Sequence, residues 1–281
     1  MDPPDRIPTE RFWMRLAEDE GGRVLGRWKL FGCRHGRVLL FNREKKVLVL
    51  WDPDTGDHRR VAVPPEIDGK QMVIWNGSVL CAAAAADGGH VHGGFSSCPF
   101  KVAVVGVNRD ETQMFSCVYS SETGKWSNII FAVAPFVVFA FAGQAVLGGN
   151  ALYWLPVGFG HCILKLDLDR HTLAVIERPS NPNSIDLDKC QIILAEDGSL
   201  GFATLSNDSL QMWERKVLSE GVSKWVVRKT YELNKVLDLG SGVMIRNLVK
   251  MGYADDINVI FLLTNYGVFM LQLDTLQSKK L

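Results

Sequence analysis

The chain lacks an excess of charge of either sign. Lys and Arg together number 31, Asp and Glu also number 31, and the formal net charge at pH 7 is zero. A protein that holds nucleic acid by neutralising phosphates carries a basic surplus. Here the longest basic runs are the pairs Lys45-Lys46, Arg59-Arg60 and Lys279-Lys280, which read as solvated strand edges. No nucleic-acid partner is expected. Cysteine is sparse too. Cys33, Cys81, Cys98, Cys117, Cys162 and Cys190 are scattered and mostly sit inside apolar runs, so buried free thiols and a cytoplasmic or nuclear location are expected. The start, Met1-Asp2-Pro3-Pro4-Asp5, lacks the basic and apolar regions of a secretory signal. The tripeptides Asn76-Gly77-Ser78 and Asn207-Asp208-Ser209 therefore read as turn sequences rather than glycan acceptors.

Helix signals are few, the best being residues 9–19 with Thr9 as a cap. One apolar run, residues 129–149, is long enough for a membrane helix, with Gln144 its only polar side chain. Pro135 interrupts it and Gly143, Gly148 and Gly149 crowd its end, so two buried strands joined across Pro135 fit better than a membrane span. The chain has no Gly-x-Gly-x-x-Gly, no phosphate-binding loop and no Gly-x-Ser-x-Gly elbow, and no cofactor is expected.

What the chain does have is a repeat. An early turn at Arg34-His35-Gly36, Asn76-Gly77, Gly148-Gly149, Asp197-Gly198 or Asp255-Asp256 is followed by a later one around Thr55, Thr123, Thr172, Gly221 or Thr275. Each is flanked by short apolar strand runs. From Gly36 to Thr55 is 19 residues, from Gly77 to Thr123 it is 46, and the remaining offsets are 23, 23 and 19. Only the second unit carries a long insertion. A several-strand unit that recurs every ~40–50 residues is the pattern of a β-propeller, because no blade can bury its own faces. The expectation is an all-β fold, a single β-propeller of about six four-stranded blades over residues 28–281. Residues 1–27 form a partly irregular N-terminal segment with a candidate blade-closing strand, because the last unit reads as one strand short after Thr275.

The motifs within these units resemble a known family. Residues 47–56 (Val-Leu-Val-Leu-Trp-Asp-Pro-Asp-Thr-Gly) before Pro64-Pro65, residues 118–126 (Val-Tyr-Ser-Ser-Glu-Thr-Gly-Lys-Trp), 149–155, 165–168, 196–202 and 267–270 follow one strand–turn–strand signature. In order and spacing they resemble the kelch-like, F-box-associated propellers of plants, in particular the large F-box family of grasses, over roughly residues 32–273. The resemblance implies the substrate-recognition arm of a Skp–cullin–F-box ubiquitin ligase. The helical F-box itself is missing from this sequence, so a Skp-type adaptor and cullin are expected partners only where an F-box is supplied upstream.

Constellations that could carry chemistry are weak. His90-x-His92 with Cys98 has zinc-ligand residue types but no fourth ligand nearby. Asp52-x-Asp54-x-Gly56 has Gly56 and Val63 where a calcium loop needs oxygen ligands, and reads as a hairpin turn. Ser120-x-Glu122-x-Gly124-x-Trp126 resembles a degenerate Asp-box, itself a folding turn. Catalytic, cofactor and metal residues are therefore not assigned. The function expected is a non-catalytic protein-interaction platform for an unknown target protein, with no membrane partner. A propeller glycoside hydrolase or lyase, or a WD-repeat-like scaffold prompted by Trp51-Asp52, stand as alternatives. Candidate partner-binding residues are His90, His92 and Phe95 in the Gly-rich insertion 87–99, and Phe159 and His161 in the loop 156–161, because propellers bind mainly through loops. Trp75, near a loop, is a further candidate anchor. Residues 1–281 are expected not to co-purify with a Skp-type adaptor. Stable capture in a pull-down would reveal a docking element other than an F-box.

Overall fold

Short polar side chains fold back on the backbone at the strand ends, and this divides the chain into hairpins. The computed structural model describes residues 28–69, 72–82, 98–158, 160–179, 189–206, 209–217, 223–239 and 248–281. Asn42 Oδ1 accepts the amides of Glu44 and Lys45 at 3.0 and 2.9 Å. Asp52 Oδ1 accepts those of Asp54 and Thr55, Asp167 Oδ1 that of Arg170, and Asp197 Oδ1 that of Ser199. His35, Gly36, Gly149 and Gly198 supply the positive φ that such tight turns need.

The strands so delimited form five successive antiparallel sheets. The first is β1 (Trp28–Arg34), β2 (Arg37–Asn42), β3 (Val47–Trp51) and β4 (His58–Ala62). One helical turn, α1 (Pro65–Gly69), follows, with Pro65 at its start and Ile67 buried. The second sheet is β5 (Val73–Cys81), β6 (Phe100–Val107), β7 (Gln113–Ser120) and β8 (Lys125–Trp126), and β9 (Ile130–Val133) also pairs with β7. The third is β10 (Val138–Gly148), β11 (Ala151–Gly158), β12 (Cys162–Asp167) and β13 (Thr172–Glu177). The fourth is β14 (Cys190–Leu194), β15 (Leu200–Ser206), β16 (Ser209–Val217) and β17 (Ser223–Glu232), followed by α2 (Leu233–Val236). The fifth is β18 (Leu248–Ala254), β19 (Val259–Thr264), β20 (Gly267–Gln272) and β21 (Ser278–Lys280). Each contains a four-stranded meander, the blade of a β-propeller, with β9 an extra strand on the second.

Two compact units divide the chain, Met1–Phe131 and Ala132–Leu281. In the first unit, Phe31, Leu39, Leu48 and Leu50 of the first sheet pack against Ile74, Val102, Val104 and Phe115 of the second. In the second unit, Val146, Ile163, Phe202, Leu210, Ile260 and Leu271 share one core across three sheets. The same latch ties neighbouring sheets in both units. Trp126 Nε1 on β8 donates to the carbonyl of Ala62, the last residue of β4, at 2.9 Å. Trp225 Nε1 on β17 donates to the carbonyl of Glu177, the last residue of β13, at 2.7 Å. Each indole also lies beside a ring of its own sheet, Tyr119 at 5.5 Å and Phe202 at 6.1 Å between centroids.

Several expectations change. Five blades, not six, are present among the described residues. The last sheet is not one strand short, because Ser278–Lys280 pairs with β20. That strand is three residues long and carries two lysines, so it has no apolar run to reveal it, as suits an edge strand. A closing strand from the N-terminal segment, and a helix at 9–19, fall outside the described residues. Asn76-Gly77 is not a turn: both residues lie inside β5, where a Cβ on Gly77 would come within 2.8 Å of the Ala103 carbonyl oxygen. Glycine is required there by close packing, and the β5–β6 connection is the insertion itself. The apolar run around Pro135 does form two strands, β9 and β10, although β9 alternates between half-buried and exposed positions. No helix among the described residues is long and apolar enough to cross a membrane. The meander is common to propeller subtypes and does not distinguish a kelch-like one.

The indole latch generates a stability test. Trp126→Phe keeps an aromatic ring, though a smaller one, and removes the donor, and should cost about 1 kcal/mol. Trp126→Ala also removes the packing on Tyr119 and should cost about 3 kcal/mol. Urea midpoints of the purified variants would check the order: a Trp126→Phe variant as stable as wild type would mean that the hydrogen bond contributes nothing, and equal costs that the ring packing on Tyr119 contributes nothing.

Candidate binding site

Strand β5 departs from regular pairing next to a cavity. Ile74 pairs with Gly106 and Asn76 with Val105, so Trp75 is an extra residue, a β-bulge. A bulge re-aims its side chain and leaves its backbone outside the ladder. Lys29 Nζ takes up the freed carbonyl, donating to Trp75 O at 2.7 Å. Gly106 permits the arrangement, since a Cβ there would lie 2.0 Å from the Val73 carbonyl oxygen.

Trp75 borders a cavity of about 290 Å³ in the first unit. Phe41, Val63, Ile67, Met72 and Ile74 provide apolar wall, and Arg43, Lys46 and Asp68 bring charge to it. Apolar walls with a few placed polar groups characterise ligand pockets. The Asn42 turn described above positions the charged side, because it fixes the backbone from which Arg43 and Lys46 project. The Arg43 guanidinium carbon lies 4.7 Å from the Trp75 ring centroid and Lys29 Nζ lies 5.2 Å from it, both within cation–π range. Burial, and then the Arg43 charge, hold Lys29 below the usual lysine value. Lys46 pairs with Asp68 at 3.6 Å, but both side chains are about half exposed or more, so the pair contributes little. Neither Lys29 nor Arg43 forms an ion pair with a carboxylate among the described residues. The Trp75 Nε1 is buried and without a hydrogen-bond partner there.

Of the residues singled out from sequence, Trp75 is therefore brought to a cavity. His90, His92, Phe95 and Phe159 lie outside the described residues. His161 is described and is exposed, but it is engaged by the protein itself. Its Nδ1 accepts from Arg178 Nε at 2.9 Å, and Arg178 Nη2 also lies close to it. Arg178 is 5% exposed, so the imidazole serves as an acceptor for a buried cation. Sequence reading singled out Trp75 as an aromatic near a loop but missed Lys29, Arg43 and the bulge. The signal for the bulge was Gly106, a glycine within a run of valines. Among the described residues no group of three or more His, Cys, Asp or Glu could hold a metal ion. Cys98 is buried with its thiol against Cys81, and Cys33 is exposed rather than buried.

The second unit carries carboxylates beside a smaller cavity lined by Glu196, Glu214, Arg228, Lys229 and Asp274. Glu196 accepts from Lys229 Nζ and Arg228 Nη2, both at 2.8 Å. Lys229 and then Arg228 hold its carboxyl below the usual range. A glycosidase acid needs the opposite shift. Tyr253 is structural: its hydroxyl donates to Asn258 Oδ1 at 2.8 Å and accepts from the Leu194 amide, while Gln144 Nε2 donates to its carbonyl. Burial pushes that phenol up to about 12.

No family model and no curated protein matches the chain. Among solved structures it is similar to the Dos1 propeller (TM-score 0.46, 10% identity, 88% of this chain and 56% of that one). It is also similar to an oligogalacturonate lyase in complex with manganese (0.49, 8%, 87% and 61%). A third is the WD40 domain of SCAP from fission yeast (0.43, 11%, 91% and 55%). The chain spans about three-fifths of the length of these structures.

The His161–Arg178 contact predicts a pH response. Burial and then the Arg178 charge hold the imidazole below its ordinary value, so the unfolded chain protonates at this position first as pH falls. Stability carried by the contact is complete above about pH 6.5 and is lost as pH falls through that value toward the lowered folded one. His161→Ala should cost about 1–2 kcal/mol at pH 7.5, because Arg178 loses its acceptor. The difference from wild type should shrink at pH 5, read as urea midpoints at the two pH values. A difference independent of pH would remove His161 titration from the explanation.

Proposed function

We propose that the chain is a non-catalytic protein-interaction platform, and that its first unit takes an acidic segment of a target protein bearing an apolar anchor residue. The observation that carries this reading is the pair of cations, Lys29 and Arg43, set against the bulged Trp75 beside an apolar cavity. The two charges repel each other and Lys29 is partly stripped of water. A carboxylate between them would relieve the repulsion, and an aliphatic or aromatic side chain beside it would fill the cavity over Phe41, Ile67 and Ile74. Arg and Trp at a pocket mouth are also the residue types that dominate the energetics of protein interfaces.

A role in a Skp–cullin–F-box ligase extends this proposal and is supported by the sequence resemblance alone. The residues that carry the resemblance perform framework tasks: Asp52 and Thr55 close a turn, and Trp126 latches one sheet to the next. They do not identify a target. The insertion at residues 87–99 is kept in the proposal as a second contact region.

The test is binding of peptides that combine Asp or Glu runs with one Leu or Phe, against the same peptides with Lys in place of the acids. The acidic set should bind and weaken with added salt. Arg43→Glu should reduce affinity at least about tenfold, a loss near 1.4 kcal/mol, and Trp75→Ala should do the same with the fold intact by circular dichroism. Equal binding of the basic peptides, or no effect of Arg43→Glu, would overturn the reading.

A further inference from the structure

The two cysteines at the base of the insertion face each other. Cys81 ends β5, and the Ala82 amide donates to the Pro99 carbonyl at 2.9 Å, so the ladder continues one pair beyond Cys81–Phe100. Cys98 therefore stands diagonally across from Cys81 on the same face, and the two sulfurs are 3.0 Å apart. A disulfide needs about 2.0 Å, so the two sulfurs would have to close by about 1 Å. Arg37, itself 3% exposed, anchors the Cys98 end by donating from Nη2 to the Cys98 carbonyl at 3.1 Å. The remaining thiols differ. Burial pushes Cys117 and Cys162 up to about 12, Cys190 is buried, and Cys33 is exposed.

We propose that Cys81 and Cys98 form a reversible dithiol–disulfide site that takes a hydroperoxide as its oxidant. Cys81 is the more accessible of the two, half-buried where Cys98 is buried, and it meets the oxidant first. The Cys81 sulfur attacks the terminal peroxide oxygen, the O–O bond breaks, and a sulfenic acid and water (or an alcohol) are formed. The Cys98 sulfur then attacks the Cys81 sulfur, losing its proton as the S–O bond breaks, and a second water leaves. Two thiols are oxidised by two electrons and one peroxide is reduced. Arg37 beside Cys98 favours the thiolate that the second step needs, against a burial that otherwise raises this thiol. The product closes residues 82–97 into a covalent loop, and a dithiol reductant reverses it.

The experiment treats the native chain, residues 1–281, with hydrogen peroxide, blocks remaining thiols and maps peptides without reduction. The expected result is a Cys81–Cys98 cross-link at least ten times more abundant than any other pair, lost on dithiothreitol treatment. Cys98→Ser should leave a sulfenic acid at Cys81 that dimedone traps, while Cys33→Ser should leave the cross-link unchanged. Should Cys98→Ser fail to fold, the wild-type map decides alone. The proposal is overturned if Cys33 oxidises while Cys81 and Cys98 stay reduced. Over-oxidation of Cys81 to the sulfinic acid without a cross-link, or links that join Cys33, would also overturn it.

Discussion

The indole latch repeated in both units marks the constraint every sheet of this fold must meet: its apolar faces have to be covered by a neighbour. A four-stranded meander with apolar residues on both faces cannot bury itself, so each sheet must be joined to a neighbour at a fixed register. Trp126 and Trp225 both stand on the fourth strands of their meanders, and each reaches the final carbonyl of the fourth strand of the sheet before. An outermost strand has one unpaired edge. Capping its last carbonyl with an indole N–H removes an unsatisfied acceptor and sets the spacing at which the apolar faces meet. The cores hold Leu39, Leu48 and Phe115 in one unit and Phe202, Leu210 and Ile260 in the other fully removed from solvent.

Within so regular a frame, the proposed recognition site lies where the pattern is broken. The Trp75 bulge takes one residue of β5 out of the alternation that would have buried it or paired it. Its freed carbonyl recruits Lys29, and its indole borders the cavity beside Arg43. The cost is a backbone that tolerates no side chain at Gly106, and the gain is an aromatic anchor held by strands instead of a loop. A site built on strands loses little conformational entropy on binding, which distinguishes it from loop-borne recognition.

Much of the strand pattern is legible in the sequence because β-hairpins have local signatures. Asn42, Asp52, Gly149 and Asp197 announce their turns by residue type, and strands such as Val47–Trp51 fall where the apolar runs place them. Two kinds of element escape such reading. Ser278–Lys280 is a strand only because β20 offers it a ladder, so its own residues carry no signal. Asn76-Gly77 carries a strong turn signal that tertiary packing overrides, since the glycine is needed to admit the Ala103 carbonyl. The candidate site was half legible. Trp75 stands out as an aromatic near a loop, whereas Lys29 and Arg43 are brought to it by a register that no sequence spacing reveals. His161 was legible as a loop histidine but not as the acceptor of a buried arginine.

The placement of both proposed sites on β5 decides how they relate. Trp75 and Cys81 are six residues apart on one strand, about 20 Å at the usual rise per residue. Between them Asn76, Gly77, Ser78, Val79 and Leu80 are all buried and paired with β6. A strand clamped in this way transmits little local rotation, because packed cores respond to small displacements by resisting them. Closing the Cys81–Cys98 gap takes about 1 Å of side-chain motion at a strand end, next to a connection whose far side is anchored by Arg37. The paired and buried ladder of residues 76–80 lies between the two proposed sites, so oxidation of the dithiol is expected to leave Trp75 in place. On the two proposals taken together, one end of β5 responds to a hydroperoxide while the other keeps its surface for an acidic partner.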